Sequence, residues 1–178
     1  NCYSTGNIST GGILGNRTGT VSSGGTINIE NCYSNGVINN GGGIFGNDTC
    51  KNSVGGIFNV KNCYSTGIKN FSSDGGIFGS QTKFQATGGT INIEKCYSTG
   101  DGGSGILGNK TSLEASNGII NLTNCFSIGN SSDNEGGICG SEALKDSTNE
   151  SININNCYSI GTIGENSGGI IGQLLCQS

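Results

Sequence analysis

The chain has 178 residues, enough for one domain with a real core, and an unusual composition: 35 glycines, nine cysteines and no proline, histidine, methionine or tryptophan. Charged residues make up only 11% and the net charge is −4, which excludes the basic stripe that nucleic acid or an anionic membrane would need. Regularly placed Ile, Cys and aromatic residues exclude a flexible glycine-rich linker, and no long apolar run suggests membrane insertion.

The first element in chain order is the phrase NCYSTG at residues 1–6, with close copies starting at Asn31, Asn62, Lys95, Asn124 and Asn156. Cutting before each copy divides a single repeat domain, 1–178, into units 1–30, 31–61, 62–94, 95–123, 124–155 and a partial unit 156–178. The sequence opens at a unit boundary without Met or a signal peptide, which reads as a mature product or one segment of a longer array. Six cysteines share a column: Cys2, Cys32, Cys63, Cys96, Cys125 and Cys157. With rungs about 4.8 Å apart their Cα atoms fall inside disulfide range, so axial pairing and a ladder of small buried hydrophobes both stand. Cys50 and Cys176 share another column four rungs apart, too far to pair. Beside the cysteines run Tyr3, Tyr33, Tyr64, Tyr97, Phe126 and Tyr158. Neighbouring strand residues face opposite sides, so these aromatics either stack for stability or form an outward stripe for sugar rings or a partner.

A spacer of three to seven residues leads to a second phrase: GGILG from Gly11, GGIFG from Gly42 and Gly75, SGILG from Ser104, GGICG from Gly136 and GGIIG from Gly168. Its Ile13, Ile44, Ile77, Ile106, Ile138 and Ile170 predict an interior ladder, with glycines at tight corners. The next residue is apolar too: Leu14, Phe45, Phe78, Leu107, Cys139 and Ile171. Period 2 sends one of the two outward, so this strip is an interaction surface, or is covered by the following segment, or marks a slip in strand phase. That following segment always has nine residues, which implies ordered backbone; the variable spacer implies an exposed corner.

The closing phrase reads TINIE at Thr26 and Thr90, IFNVK at Ile57, IINLT at Ile119 and SININ at Ser151. Apolar residues alternate with polar ones, the signature of a half-buried strand. The inner columns are Ile27, Phe58, Ile91, Ile120, Ile152 and Ile29, Val60, Ile93, Leu122, Ile154. Between them Asn28, Asn59, Asn92, Asn121 and Asn153 form a column whose amides can hydrogen-bond along the stack, and Glu30, Lys61 and Glu94 alternate in sign. Three short strands and three corners per unit predict an all-β, single-stranded parallel β-solenoid, three-sided, with one coil per repeat. Six rungs would span about 29 Å.

The combination of GGIxG, a spacer, an Ile-rich strand and NCYSTG resembles the GLUG-motif repeat, across the whole chain. In this sequence Ile stands in place of that family's usual Leu, and the spacers are longer and richer in Asn. The resemblance implies a stalk or passenger module on a large surface protein such as an adhesin, with no catalytic residues to carry over. Similar arrays in giant viruses and protists extend the expectation to fibres and virion surfaces. From the residues themselves, no zinc site is expected without histidine or CxxC. The acids are scattered; Glu30 and Glu94 share a column, about 10 Å apart, but Lys61 lies between them. The expectation is therefore no enzyme and no cofactor, and a rigid extracellular or surface rod. Alternatives are a filament subunit stacked head to tail and an ice-binding or carbohydrate-binding solenoid. The column Thr5, Asn35, Thr66, Thr99, Ile128, Ile160 is too irregular for an ice-binding rank. Self-association is the expected partnership, end to end through the open edges of the terminal rungs or lateral, with a surface glycan or host receptor as the other option. Sequons occur at Asn7, Asn16, Asn47, Asn70, Asn109, Asn121, Asn130 and Asn149, of which Asn7, Asn70 and Asn130, in the variable spacer, are the best placed for glycans.

Overall fold

The computed structural model describes residues 1–176, among which are strands, bridges and turns and no helix. Two parallel sheets run up the molecule. The first contains the six two-residue strands β1 (Tyr3–Ser4), β3 (Tyr33–Ser34), β5 (Tyr64–Ser65), β7 (Tyr97–Ser98), β9 (Phe126–Ser127) and β11 (Tyr158–Ser159), stacked in that order. The second contains β2 (Thr26–Glu30), β4 (Ile57–Lys61), β6 (Thr90–Glu94), β8 (Ile119–Thr123) and β10 (Ser151–Asn155). Every pairing is in register between equivalent residues, for example Asn28 with Asn59 and Asn59 with Asn92. The chain is thus a β-solenoid of about five turns, each repeat forming one coil. The GGIxG side is joined rung to rung by single-residue bridges, such as Leu14–Phe45–Phe78–Leu107–Cys139–Ile171, rather than by a continuous strand.

Alternation in the second sheet buries Ile27, Ile29 and their column partners and leaves Asn28 and its partners outside. The strip read as a candidate interaction surface is corrected by its burial. Phe45, Phe78 and Leu107 are 0% exposed, and Leu14 and Ile171 pack partly buried against the same core as Phe58. Strict alternation fails there because the N–H groups of both Ile44 and Phe45 donate to one carbonyl, that of Ile77, at 3.2 and 2.8 Å. The chain bends between the two residues, and both side chains turn inward. Phe45 stacks on Phe78 at 4.3 Å and meets Phe58 across the core at 6.2 Å.

The nine-residue segment owes its fixed length to an alternating backbone. Every second residue is left-handed: Arg17, Gly19 and Val21 in the first coil, Asp48, Cys50 and Asn52 in the second, Gln81, Lys83 and Gln85 in the third. A left-handed non-glycine residue costs roughly 1–2 kcal/mol, so something must offset it. Hydrogen bonds between rungs do, as in Arg17 N–H to Asn47 O at 2.9 Å and Cys50 N–H to Thr18 O at 2.9 Å. Thr18, Thr49, Thr82 and Thr111 each donate a hydroxyl to the glycine carbonyl three residues earlier. Inserting one residue would invert the alternation and misplace every one of these bonds.

Candidate functional site

The repeated phrase assigns each letter a place. Asn31, Asn62, Lys95, Asn124 and Asn156 are left-handed corners with φ of 51–56°, a conformation Asn tolerates better than most residues. The cysteine after each corner points inward; Cys32, Cys63, Cys96 and Cys125 are buried. The aromatic faces out, and the following serine faces in again. The second glycine of GGIxG makes room for that serine: a Cβ on Gly76 would sit 2.2 Å from Ser98 Oγ and 2.3 Å from the Gly105 carbonyl. The glycine closing NCYSxG is compelled in the same way, since a Cβ on Gly67 would lie 1.9 Å from the Gly36 carbonyl below it.

All nine cysteines are free thiols. Along the column each thiol of Cys32, Cys63, Cys96, Cys125 and Cys157 donates to the carbonyl two residues before it, at 3.2–3.4 Å. Burial pushes the Cys50 and Cys139 thiols up to about 12, which suits small core residues rather than nucleophiles.

Two ladders line the outside. Asn59, Asn92, Asn121 and Asn153 each donate a side-chain N–H to the amide oxygen of the rung below, at 2.8–2.9 Å. On the other sheet the rings of Tyr3, Tyr33, Tyr64, Tyr97, Phe126 and Tyr158 stack with centroids 4.8–5.4 Å apart and planes within 11°. Stacked rings cover one another's faces, so the column presents edges and hydroxyls to solvent; sugar rings bind aromatic faces, which are not on offer along it. Of the alternating charges, Lys61 pairs with Glu94 at 3.4 Å, both half exposed, and among the described residues no ion pair joins it to Glu30.

Buried charges are the feature that the sequence reading missed. Lys83, 2% exposed, pairs with Glu150 at 2.5 Å, although the two lie 67 residues and two rungs apart. Glu150 occupies the column of Gly25, Gly56, Gly89 and Gly118, and its side chain reaches down past Gly118, where a Cβ would lie 2.0 Å from Lys83 Nζ. Its carboxylate also accepts from Ser112 Oγ at 3.1 Å and Gly118 N–H at 2.6 Å, so every oxygen is satisfied. A cavity of about 10 Å³, room for one water, lies beside Lys83 and Cys50. Lys69 repeats the theme: it stands in the column of Ile8 and Ile38, and its ammonium donates to Gly100 O at 2.5 Å and Ser98 Oγ at 3.4 Å. The adjoining rung offers only the short spacer Asp101–Gly102–Gly103, which leaves space for so long a side chain. Asp74 accepts from Gly41 N–H at 2.7 Å while its other oxygen is buried without a partner. Glu135 ties Ser104 of the neighbouring rung to Ser141, both at 2.9 Å.

Among the described residues no group of three or more metal-binding side chains converges, and no helix is long and apolar enough to cross a membrane. Asn7, Asn70 and Asn130 are exposed, though Asn70 donates to Asn39 at 2.7 Å and Asn130 accepts from Thr162 N–H at 2.7 Å. Asn16 and Asn47 are engaged in the stack, accepting from the backbone N–H of Asn47 and Ser80. Comparison of the chain with family models, curated proteins and solved structures gave no match.

Proposed function

We propose that this chain is a structural module, a stiff β-solenoid segment of an adhesin-like or fibrous surface protein, extracellular or on a virion, with repeats of the GLUG type. The observation that carries the reading is the continuity of the ladders: backbone pairing, amide chain, ring stack and apolar core all run through successive rungs, so axial load is shared by many parallel bonds. Each amide link is worth about 0.5–1.5 kcal/mol net, and each ring contact about as much again. Nothing in the residue pattern supports catalysis. Single-molecule pulling from the two ends tests it. Resistance at high force with release in steps of one repeat is expected; extension at low force in one smooth phase would sink the idea.

A second reading, a subunit of a head-to-tail filament, draws on the in-register pairing of equivalent residues from rung to rung, a pattern that a second copy of the chain can continue. Electron microscopy over a concentration series separates the two. Filaments with an axial repeat near 29 Å, from six rungs, favour assembly. Particles that stay single at every concentration leave the stiff module alone.

A further inference from the structure

We propose that the tyrosine column is a site of oxidative cross-linking, in which a haem peroxidase using hydrogen peroxide joins neighbouring rings as dityrosine and staples successive rungs. Three neighbouring phenol pairs are set up for it: Tyr3–Tyr33 at 5.4 Å, Tyr33–Tyr64 at 5.0 Å and Tyr64–Tyr97 at 4.8 Å, with planes 11°, 4° and 2° apart. The edges and hydroxyls of these rings face solvent, where an oxidant can take an electron, while Ser34, Ser65 and Ser98 beside them point inward. Each phenol of a pair gives up one electron to the oxidant and its hydroxyl proton to water. The two unpaired electrons then form a carbon–carbon bond between ortho carbons, and the ortho hydrogens move as protons to restore both phenols. Overall the pair loses two hydrogens and one hydrogen peroxide becomes two waters.

The column also contains its own control. Phe126 has no phenol, and it separates Tyr158 from Tyr97, the nearest tyrosine, by about 10 Å. Tyr158 is therefore excluded from coupling although it is 49% exposed. The inference rests on ring geometry and is independent of the mechanical reading.

The sequence supplies the assay, because trypsin leaves each tyrosine on a separate peptide: 1–17, 18–51, 62–69, 96–110 and 146–178. The full chain, with exposed Cys2 and Cys176 replaced by serine to spare the oxidant, is treated with peroxidase and hydrogen peroxide as a mixture of heavy- and light-isotope protein. Expected are same-isotope pairs 1–17/18–51, 18–51/62–69 and 62–69/96–110, each lighter by two hydrogens. They should exceed any pair containing 146–178 by on the order of tenfold, the advantage of held proximity. In the Phe126→Tyr variant, pairs joining 111–145 to 96–110 and to 146–178 should appear. Absence of dityrosine, equal yields to 146–178 in the unmodified column, or a predominance of mixed-isotope pairs would each overturn the proposal.

Discussion

The first two coils and the next three have the same words but different interiors. In coils 1 and 2 no charged side chain is buried: Ile8 and Ile38 stand at the spacer and Gly25 and Gly56 before the strand, and the buried polar groups are hydroxyls such as Ser34 and Thr49. In coils 3 to 5 the equivalent columns contain Lys69 and Glu150, joined by Lys83, Asp74 and Glu135. Identical repeats stack equally well in many registers, a weakness of any solenoid built from one phrase. A buried charge removes that degeneracy, because Glu150 is matched only where Gly118 leaves a passage and Lys83 waits two rungs below. The outer ladders favour stacking in general, and the inner charges select one stack.

The sharpest way to break the difference is Glu150→Ala, which strands Lys83 in the core. A loss of about 3–5 kcal/mol is expected, read as a fall of the denaturation midpoint. Replacing the pair by an apolar residue and glycine, Lys83→Leu with Glu150→Gly, should recover most of that stability while broadening the transition as alternative registers become populated; a double variant as weak as the single one would refute the pairing. Next comes Gly76→Ala, whose Cβ would collide with Ser98 and the Gly105 carbonyl, at an expected cost of about 1–3 kcal/mol. Gly169→Ala, the same letter in the last coil with nothing within 4 Å, should change the midpoint little.

A smaller effect follows from pH. Burial holds Asp74 up at about 6, against an ordinary 3.8, and holds Lys69 down at about 8, against 10.5. Asp74 is costly in the fold when ionised, so its penalty is full above pH 6 and is relieved as pH falls from 6 towards 3.8. Lys69 is costly when charged, so its penalty is full below pH 8 and is relieved as pH rises from 8 towards 10.5. Together they place a shallow minimum of stability between pH 6 and 8, which Asp74→Asn with Lys69→Met should flatten relative to the parent chain. Smallest of all, Asn59→Asp with Asn92→Asp should cost about 1 kcal/mol through like charges on adjacent rungs, and raising the salt concentration should recover part of it. An unchanged melting temperature would show that the amide ladder is decorative.

Much of this was legible in the sequence where a rule acts within one repeat. Period 2 in TINIE put Ile27 and Ile29 inside and Asn28 outside, and equal phrases implied equal heights, which is why the solenoid could be read at all. Reading failed where geometry depends on another rung. Lys83 looks like a surface residue until Gly118 and Glu150 are placed above it, and Lys69 until the short spacer of the next coil is seen. For the Leu14, Phe45 and Phe78 strip the sequence left surface, cover and phase slip all open, because two successive N–H groups sharing one carbonyl suspend the alternation needed to choose among them. The left-handed residues of Gln81, Lys83 and Gln85 have no compositional signal, as their conformation is imposed by bonds to the neighbouring coils.

Ordinary strands rotate by about 20–25° from one to the next, and at the periphery such rotation would swing each ring sideways and lengthen the steps between centroids. The steps from Tyr64 to Tyr97 and from Tyr97 to Phe126 are 4.8 Å, no more than the usual separation of strands. From Tyr64 to Phe126 each coil is therefore set over the last with little lateral drift, like sheets in a squared ream, while the outer steps lengthen to 5.0–5.4 Å. An array whose further copies kept the spacing of those central coils would carry its tyrosine edge along one straight seam, with every repeat facing the same side.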